Sequence, residues 1–154
     1  MPAHSSFDYA IIRIVPRVER EEFINAGVIL YCLTHRFLGA RVELDERRLL
    51  ALAPDADVEL LRSHLESIPR ICAGGKAAGP IGQLPQKERF HWLVAPRSTM
   101  LQTGPVHAGL CEEPAKALEH LMQRMVRPLS PLPPGEGRGE GARPRTPDPV
   151  ARVR

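Results

Sequence analysis

Three apolar stretches in the first third of the chain have the pattern of β-strands. The first is Phe7 to Val15, in which the run from Tyr9 to Val15 is apolar apart from Arg13, and this is typical of a strand covered on both faces. The second, Ala26 to Leu33, is an uninterrupted apolar run, whereas the third, Phe37 to Leu44, alternates apolar and polar residues like a half-buried strand. Because only residues 34–36 separate the second and third strands, we expect an antiparallel hairpin.

Capping residues and prolines predict three helices. Asp45 can cap a short helix, and Asp57 can cap a longer one with apolar residues at helical spacing, which Pro69 kinks or ends. Pro114 suits the first turn of a last helix that Pro128 stops.

Between these helices the pattern predicts two more strands, at Phe90 to Ala95 and around Thr99 to Thr103. They follow the Gly-, Ala- and Pro-rich connection Ala73 to Glu88, which is either a mobile lid or slack chain. The predicted fold class is α+β, with an antiparallel or mixed sheet of four to five strands and helices mainly on one face.

Composition changes at Pro128, because 7 of the 27 residues from there to Arg154 are proline and 4 are glycine. Such a segment buries too little apolar surface to offset its ordering entropy, so we expect one domain at 1–127 and a disordered tail at 128–154. The stretch Leu129 to Gly141 resembles translated intergenic repeats of GC-rich bacterial genomes. A polyproline II ligand around Pro131 to Pro134 is the alternative.

Charge and cysteine content exclude several function classes. The chain has 21 basic and 18 acidic residues, but 5 of the basic and 3 of the acidic ones lie in the tail, which leaves 16 against 15 in the body. A nearly neutral body indicates no basic surface for nucleic acid.

The chain has no apolar run near the ~20 residues of a membrane helix and no export signal, so we expect a cytoplasmic protein. The three cysteines are expected to be free thiols.

Polar residues beside the predicted strands form the one candidate ligand site. An arginine with neighbouring hydroxyl groups can clamp a phosphate or another oxyanion. The residues are Arg97, Ser98, Gln102 and His107 from one segment, with Arg13, Arg17, Glu21 and Asn25 from neighbouring strand ends. Alternatively, these groups satisfy the backbone of turns, and the charges between Pro16 and Asn25 pair locally in solvent. His107 and Cys111 lack a third ligand, so neither a metal nor a cofactor is expected.

Three stretches carry a family resemblance: DYAIIRIVPR at residues 8–17, EEFINAGVIL at 21–30 and RSTMLQTGPVH at 97–107. Over roughly Phe7 to Val126 the chain resembles the bacterial family called domain of unknown function 3037. The family has no established activity, and the resemblance implies a partner role beside a HipA-like protein kinase.

Two functions therefore remain open. The first is a non-catalytic accessory or protein-interaction domain, since no catalytic constellation stands out. The second is a small enzyme or anion binder that uses the segment Arg97 to His107.

Overall fold

The computed structural model describes residues 4–129 and has a five-stranded antiparallel sheet. In chain order the strands are β1 (Ser5–Ile14), β2 (Ile24–Cys32), β3 (Phe37–Val42), β4 (Leu101–Thr103) and β5 (His107–Cys111). The helices are α1 (Glu46–Leu52), α2 (Val58–Ala73), α3 (Gly79–Gly82), α4 (Gln86–Leu93) and α5 (Pro114–Leu121). The strand order is β3-β2-β1, and both β4 and β5 pair with the remaining edge of β1. The predicted α+β class and hairpin are confirmed.

One face of the sheet carries the larger core, which α1, α2 and α4 cover. Helix α2 buries a stripe of residues at helical spacing: Leu61, Leu65, Ile68 and Cys72. These side chains pack on Ile12, Ile14 and Ile29 of the sheet. The caps are as predicted, because the Asp45 carboxylate accepts from the Arg48 N–H and the Asp57 carboxylate accepts from the Leu60 N–H.

The opposite face, called the second face below, carries a smaller core under α5. This helix begins at Pro114, as predicted, and runs into a π-helical turn, Met122–Val126. The helix and the turn pack on Phe7, Val28 and Leu30. The helices therefore lie mainly, but not wholly, on one side of the sheet.

A β-bulge interrupts β2 near its N-terminal end. Ile12 pairs with Gly27 but Arg13 pairs with Asn25, so Ala26 is the extra residue. A Cβ on Gly27 would approach the Arg41 carbonyl oxygen to 2.5 Å, which explains glycine at this point. The bulge keeps Asn25 on the same side of the sheet as Arg13, which is the second face.

The prediction of a strand at Phe90 to Ala95 is wrong. These residues lie in or just after α4, whose buried residues Arg89, Phe90 and Leu93 share one side of a helix. A short apolar run does not distinguish a buried strand from a buried helix. The strand β5 was not predicted from the sequence. Helix α2 does not end at Pro69 but continues to Ala73.

The long connection after α2 is not structureless, since it holds a 3-10 turn, Lys76–Ala78, followed by α3 and the start of α4. Apart from Pro128 and Leu129, the tail predicted to be disordered lies outside the described residues, and that prediction stays open. Within residues 4–129, no helix is both long and apolar enough to cross a membrane.

Candidate functional site

A polar cleft of about 270 Å³ lies where the end of β1 meets the chain before β2 and the chain leading into β4. We call it the polar cleft. Its lining consists of Arg13, Val15, Val18, Glu21, Phe23, Ser98 and Gln102. Four of the eight residues predicted for a ligand site meet here, namely Arg13, Glu21, Ser98 and Gln102.

Arg13 is the cationic group of the cleft, and its guanidinium is held in place from two sides. The guanidinium carbon lies 4.2 Å from the centroid of the Phe23 ring, a cation–π contact. On another side, a Cβ on Gly104 would come to 3.0 Å from the Arg13 Nη2, so the guanidinium passes close to the glycine backbone and a larger residue would push it aside by a few tenths of an ångström. The packing therefore orients the guanidinium without using its N–H groups.

The N–H groups of the Arg13 guanidinium donate no hydrogen bond to other residues of the described chain. The Arg13 Nε is buried and has no hydrogen-bond partner, and no carboxylate of residues 4–129 forms an ion pair with Arg13. A buried donor without an acceptor costs about 1–3 kcal/mol. The two Nη groups have no ion-pair partner among residues 4–129 either, and they are the groups that can donate to an acceptor in the cleft.

Glu21 supplies a carboxylate to the same cleft. It follows the 3-10 turn Val18–Arg20 and has a left-handed backbone, with φ at 57°, and its N–H donates to the Val18 carbonyl at 3.2 Å. The flanking charges pair with each other, because the Arg20 Nε donates to a Glu22 carboxylate oxygen at 2.8 Å. This hydrogen bond holds the pKa of Glu22 below its ordinary value. Glu21 itself has no ion-pair partner within residues 4–129.

The neutral polar groups of the cleft come from β4 and the chain before it. Gln102 lies directly opposite Arg13 across the β1–β4 pair, and its Nε2 donates to the Thr99 carbonyl at 2.8 Å. That bond orients the side-chain amide and leaves its oxygen as an acceptor. Ser98 is exposed at the rim.

Asn25 lies opposite Arg13 on the other neighbouring strand, but it does not line the cleft. Its Nδ2 donates to the Met125 carbonyl at 2.9 Å, which ties β2 to the π-helical turn. Arg17 also points elsewhere, since its guanidinium forms an exposed ion pair with Asp55 at 3.0 Å.

Arg97 closes the C-terminal end of α4 instead of facing the polar cleft. Its guanidinium donates to the carbonyls of Leu93 and Trp92 at 3.0 and 2.6 Å, and it lies 4.4 Å from the centroid of the Trp92 ring. Arginine near a helix C-terminus commonly satisfies the last carbonyls in this way. Arg97 therefore lines a separate, mostly apolar groove of about 200 Å³, which also contacts Gln102.

His107 lies on the second face, at a distance from Arg13. Its ring packs on Tyr9 with the centroids 5.4 Å apart, and Tyr9 precedes Arg13 on β1 by four residues, or roughly 13 Å of strand. Cys111 is buried at the far end of the same strand, so the structure forms no His107–Cys111 pair. Arg97 and His107 consequently do not converge on one ligand.

The arrangement favours binding over covalent chemistry. In the part of the chain that the structure describes, no group of three or more His, Cys, Asp or Glu side chains could hold a metal ion. The polar cleft contains neither a histidine nor a cysteine. Cys72 lies in the core, and burial raises the pKa of its thiol to about 12. The cleft has one cation, one carboxylate and neutral hydrogen-bonding groups.

Sequence reasoning missed two residues that shape the cleft, Phe23 and Gly104. In the sequence, Phe23 is a single aromatic residue in a charged loop, and no neighbouring residue indicates that it faces Arg13. Gly104 precedes a proline and reads as an ordinary turn glycine. Their roles depend on the strand pairing, which brings distant segments together.

Comparison with known proteins places the chain in one family. No curated protein and no solved structure gives a significant match. The family described as a protein of unknown function, DUF3037, matches residues 9–126, which is most of the chain and includes every residue of the polar cleft. The chain belongs to the DUF3037 family.

Proposed function

We propose that this domain binds a small anion, a carboxylate or a phosphate, in the polar cleft, and that Arg13 is the residue that holds it. The observation that carries the proposal is the state of the Arg13 guanidinium. It is packed against Phe23, its Nε is buried without an acceptor, and no carboxylate of the described chain pairs with it. A planar guanidinium fixed in this way suits two parallel hydrogen bonds to an oxyanion.

Binding without catalysis fits the other groups of the cleft. The amide of Gln102 and the hydroxyl of Ser98 can add neutral hydrogen bonds to a bound anion. Among the described residues that line the cleft, no histidine or thiol is present to activate a nucleophile. We therefore assign the cleft a recognition role and give no reaction to it.

The Nε–Hε resonance of Arg13, followed by NMR, tests the proposal directly. Sodium phosphate, sulfate and acetate are titrated separately, with sodium chloride at matched ionic strength as the reference. We expect a saturable shift of this resonance with a dissociation constant on the order of 1 mM for at least one anion. The backbone amide resonances of the cleft residues are followed in the same titrations, because Arg13→Gln lacks the arginine probe. They should shift in the wild type and in Arg17→Gln but not in Arg13→Gln, because Arg17 is engaged with Asp55 outside the cleft.

A linear drift identical to that caused by chloride would contradict the proposal. Equal anion affinity in Arg13→Gln and the wild type would contradict it as well. Comparison of the backbone amide spectra shows whether each variant keeps the fold.

A protein-partner role is the second candidate, and a different observation favours it. Among residues 4–129, strand β5 pairs with β1 alone, and Val106 and Leu110 beside and within it are 46% and 69% exposed. Uncovered strand edges are ready sites for strand addition. The HipA-like kinase implied by the family resemblance stays a prediction. Co-purification with such a kinase from the same genome, lost in Leu110→Arg, would support it, and equal recovery with both forms would exclude this edge.

A further inference from the structure

Two opposite charges line the polar cleft without pairing. Arg13 and Glu21 both face it, yet no ion pair joins them, so their charged atoms are more than 4.0 Å apart. Glu21 is exposed, and an ion pair with an exposed partner gains little free energy, so the two charges can stay apart in solvent. Neither charge is used up by an ion pair within residues 4–129.

The two groups come from different elements. The Arg13 guanidinium lies against the Phe23 ring and close to the backbone at Gly104. Glu21 lies in a turn with a left-handed backbone, and its N–H donates to the Val18 carbonyl. The structure thus places a positive and a negative group on the wall of one small cavity.

Most other charges of this region form ion pairs, and Glu19, which forms none within residues 4–129, lies outside the cleft. Arg20 pairs with Glu22, and Arg17 pairs with Asp55. A simple anion that binds Arg13 would therefore also meet the negative field of Glu21, whose charge no neighbour among the described residues cancels. A ligand with a cationic group beside its anionic group would turn that repulsion into attraction.

We propose that the natural ligand of the polar cleft is a small zwitterion of the free amino acid class. This inference rests on the proposed anion-binding function and specifies its ligand. The carboxylate of the ligand pairs with Arg13 and its ammonium group with Glu21, while Gln102 and Ser98 flank the two ion pairs. A cavity of about 270 Å³ is smaller than most pockets for drug-sized molecules, which agrees with a ligand of this size.

The test compares acids with and without an amino group. Acetate is paired with glycine, propionate with β-alanine, and butyrate with γ-aminobutyrate, so that three charge separations are sampled. Each compound is titrated into the full chain, and the dissociation constant is read from the Arg13 Nε–Hε resonance. In at least one pair we expect the amino acid to bind roughly fivefold or more tightly than its acid, as one additional ion pair in a cleft allows.

Variants separate this inference from the function on which it rests. Glu21→Gln should abolish the advantage of the amino acid and leave the affinity for the simple acid equal or higher. Glu19→Gln is the matched control, since Glu19 lies in the same turn but outside the cleft, and it should behave as the wild type. Arg13→Gln, followed through the backbone amide resonances of the cleft residues because it lacks the arginine probe, should bind neither compound.

If the acids bind through Arg13 but no amino acid binds more tightly than its acid, the zwitterion inference is wrong and the anion-binding proposal stands. An amino acid advantage that persists in Glu21→Gln also overturns the inference. If neither acids nor phosphate shift the Arg13 resonance, the anion-binding proposal itself fails.

Discussion

Arg89 is a buried arginine that makes three hydrogen bonds, two of which join α4 to the end of α2 and one of which goes to the turn before α4. Its Nε donates to the Leu84 carbonyl at 2.8 Å, and its Nη1 donates to the carbonyls of Ile71 and Cys72 at 2.9 and 2.6 Å. The last carbonyls of a helix have no partner within the helix, and α2 ends only one residue beyond Cys72. Arg89 therefore serves as the cap of α2, although it lies on another helix.

We expect Arg89→Met to destabilise the domain by about 2–4 kcal/mol. Methionine keeps most of the apolar stem but leaves three carbonyls without a donor, and an unsatisfied buried acceptor costs about 1–3 kcal/mol. The hydrogen bond to the Cys72 carbonyl is fully buried, so its loss should cost an amount at the upper end of that range. The hydrogen bonds to the Leu84 and Ile71 carbonyls are part-buried, and the loss of each should cost about 1 kcal/mol. Release of the guanidinium from its buried position offsets about 1 kcal/mol of this sum.

Urea unfolding followed by circular dichroism measures the effect. With a slope of about 2 kcal/mol per M, the midpoint of Arg89→Met should fall by about 1–2 M. Arg47→Met is the matched control, because Arg47 is exposed on α1, and its midpoint should stay within about 0.3 M of the wild type. A midpoint for Arg89→Met as high as that of the control would show that the hydrogen bonds of Arg89 do not stabilise the domain.

Three further changes probe the cleft, the second core and the buried thiol. Gly104→Ala should displace the Arg13 guanidinium, shift its Nε–Hε resonance and weaken anion binding by roughly fivefold or more; unchanged affinity would show that the close approach is not needed. Leu121→Ala should cost about 2–5 kcal/mol in urea unfolding because Leu121 is buried, whereas Leu33→Ala, at a 70% exposed position, should cost less than about 0.5 kcal/mol. Because the pKa of Cys72 is raised from 9.0 to about 12, the folded thiol stays protonated while the unfolded one ionises, so stability should fall as pH rises from 9 toward 12. Cys72→Ala should flatten that slope, and a parallel slope in both proteins would assign the pH dependence to other groups.

Local patterns were sufficient for the elements whose signals lie within a few residues. The β2–β3 hairpin follows from two apolar runs with a short gap, and the starts of α1 and α2 follow from Asp45 and Asp57. In each case the interacting groups are close in the chain. The physical reason for the structure is therefore visible in the sequence.

The helix α4 shows where local reasoning fails. The run from Phe90 to Ala95 suits a buried strand or a buried helix equally well, and its neighbours decide between them. Arg89 can satisfy the end of α2 and Arg97 can satisfy the end of α4 only when these residues form a helix packed beside α2. These contacts depend on how separate segments pack together, and the hydrophobic periodicity of a single segment does not reveal them.

The candidate site divides in the same way. The sequence by itself determined that Arg13, Glu21, Ser98 and Gln102 are polar groups beside apolar strands, and hence candidates for a ligand. Only the tertiary structure decided that these four share one cleft while Arg97 and His107 lie elsewhere. The physical reason is strand register: the bulge at Ala26 and the pairing of β1 with β4 set which side chains face each other, and register depends on contacts between residues far apart in the chain.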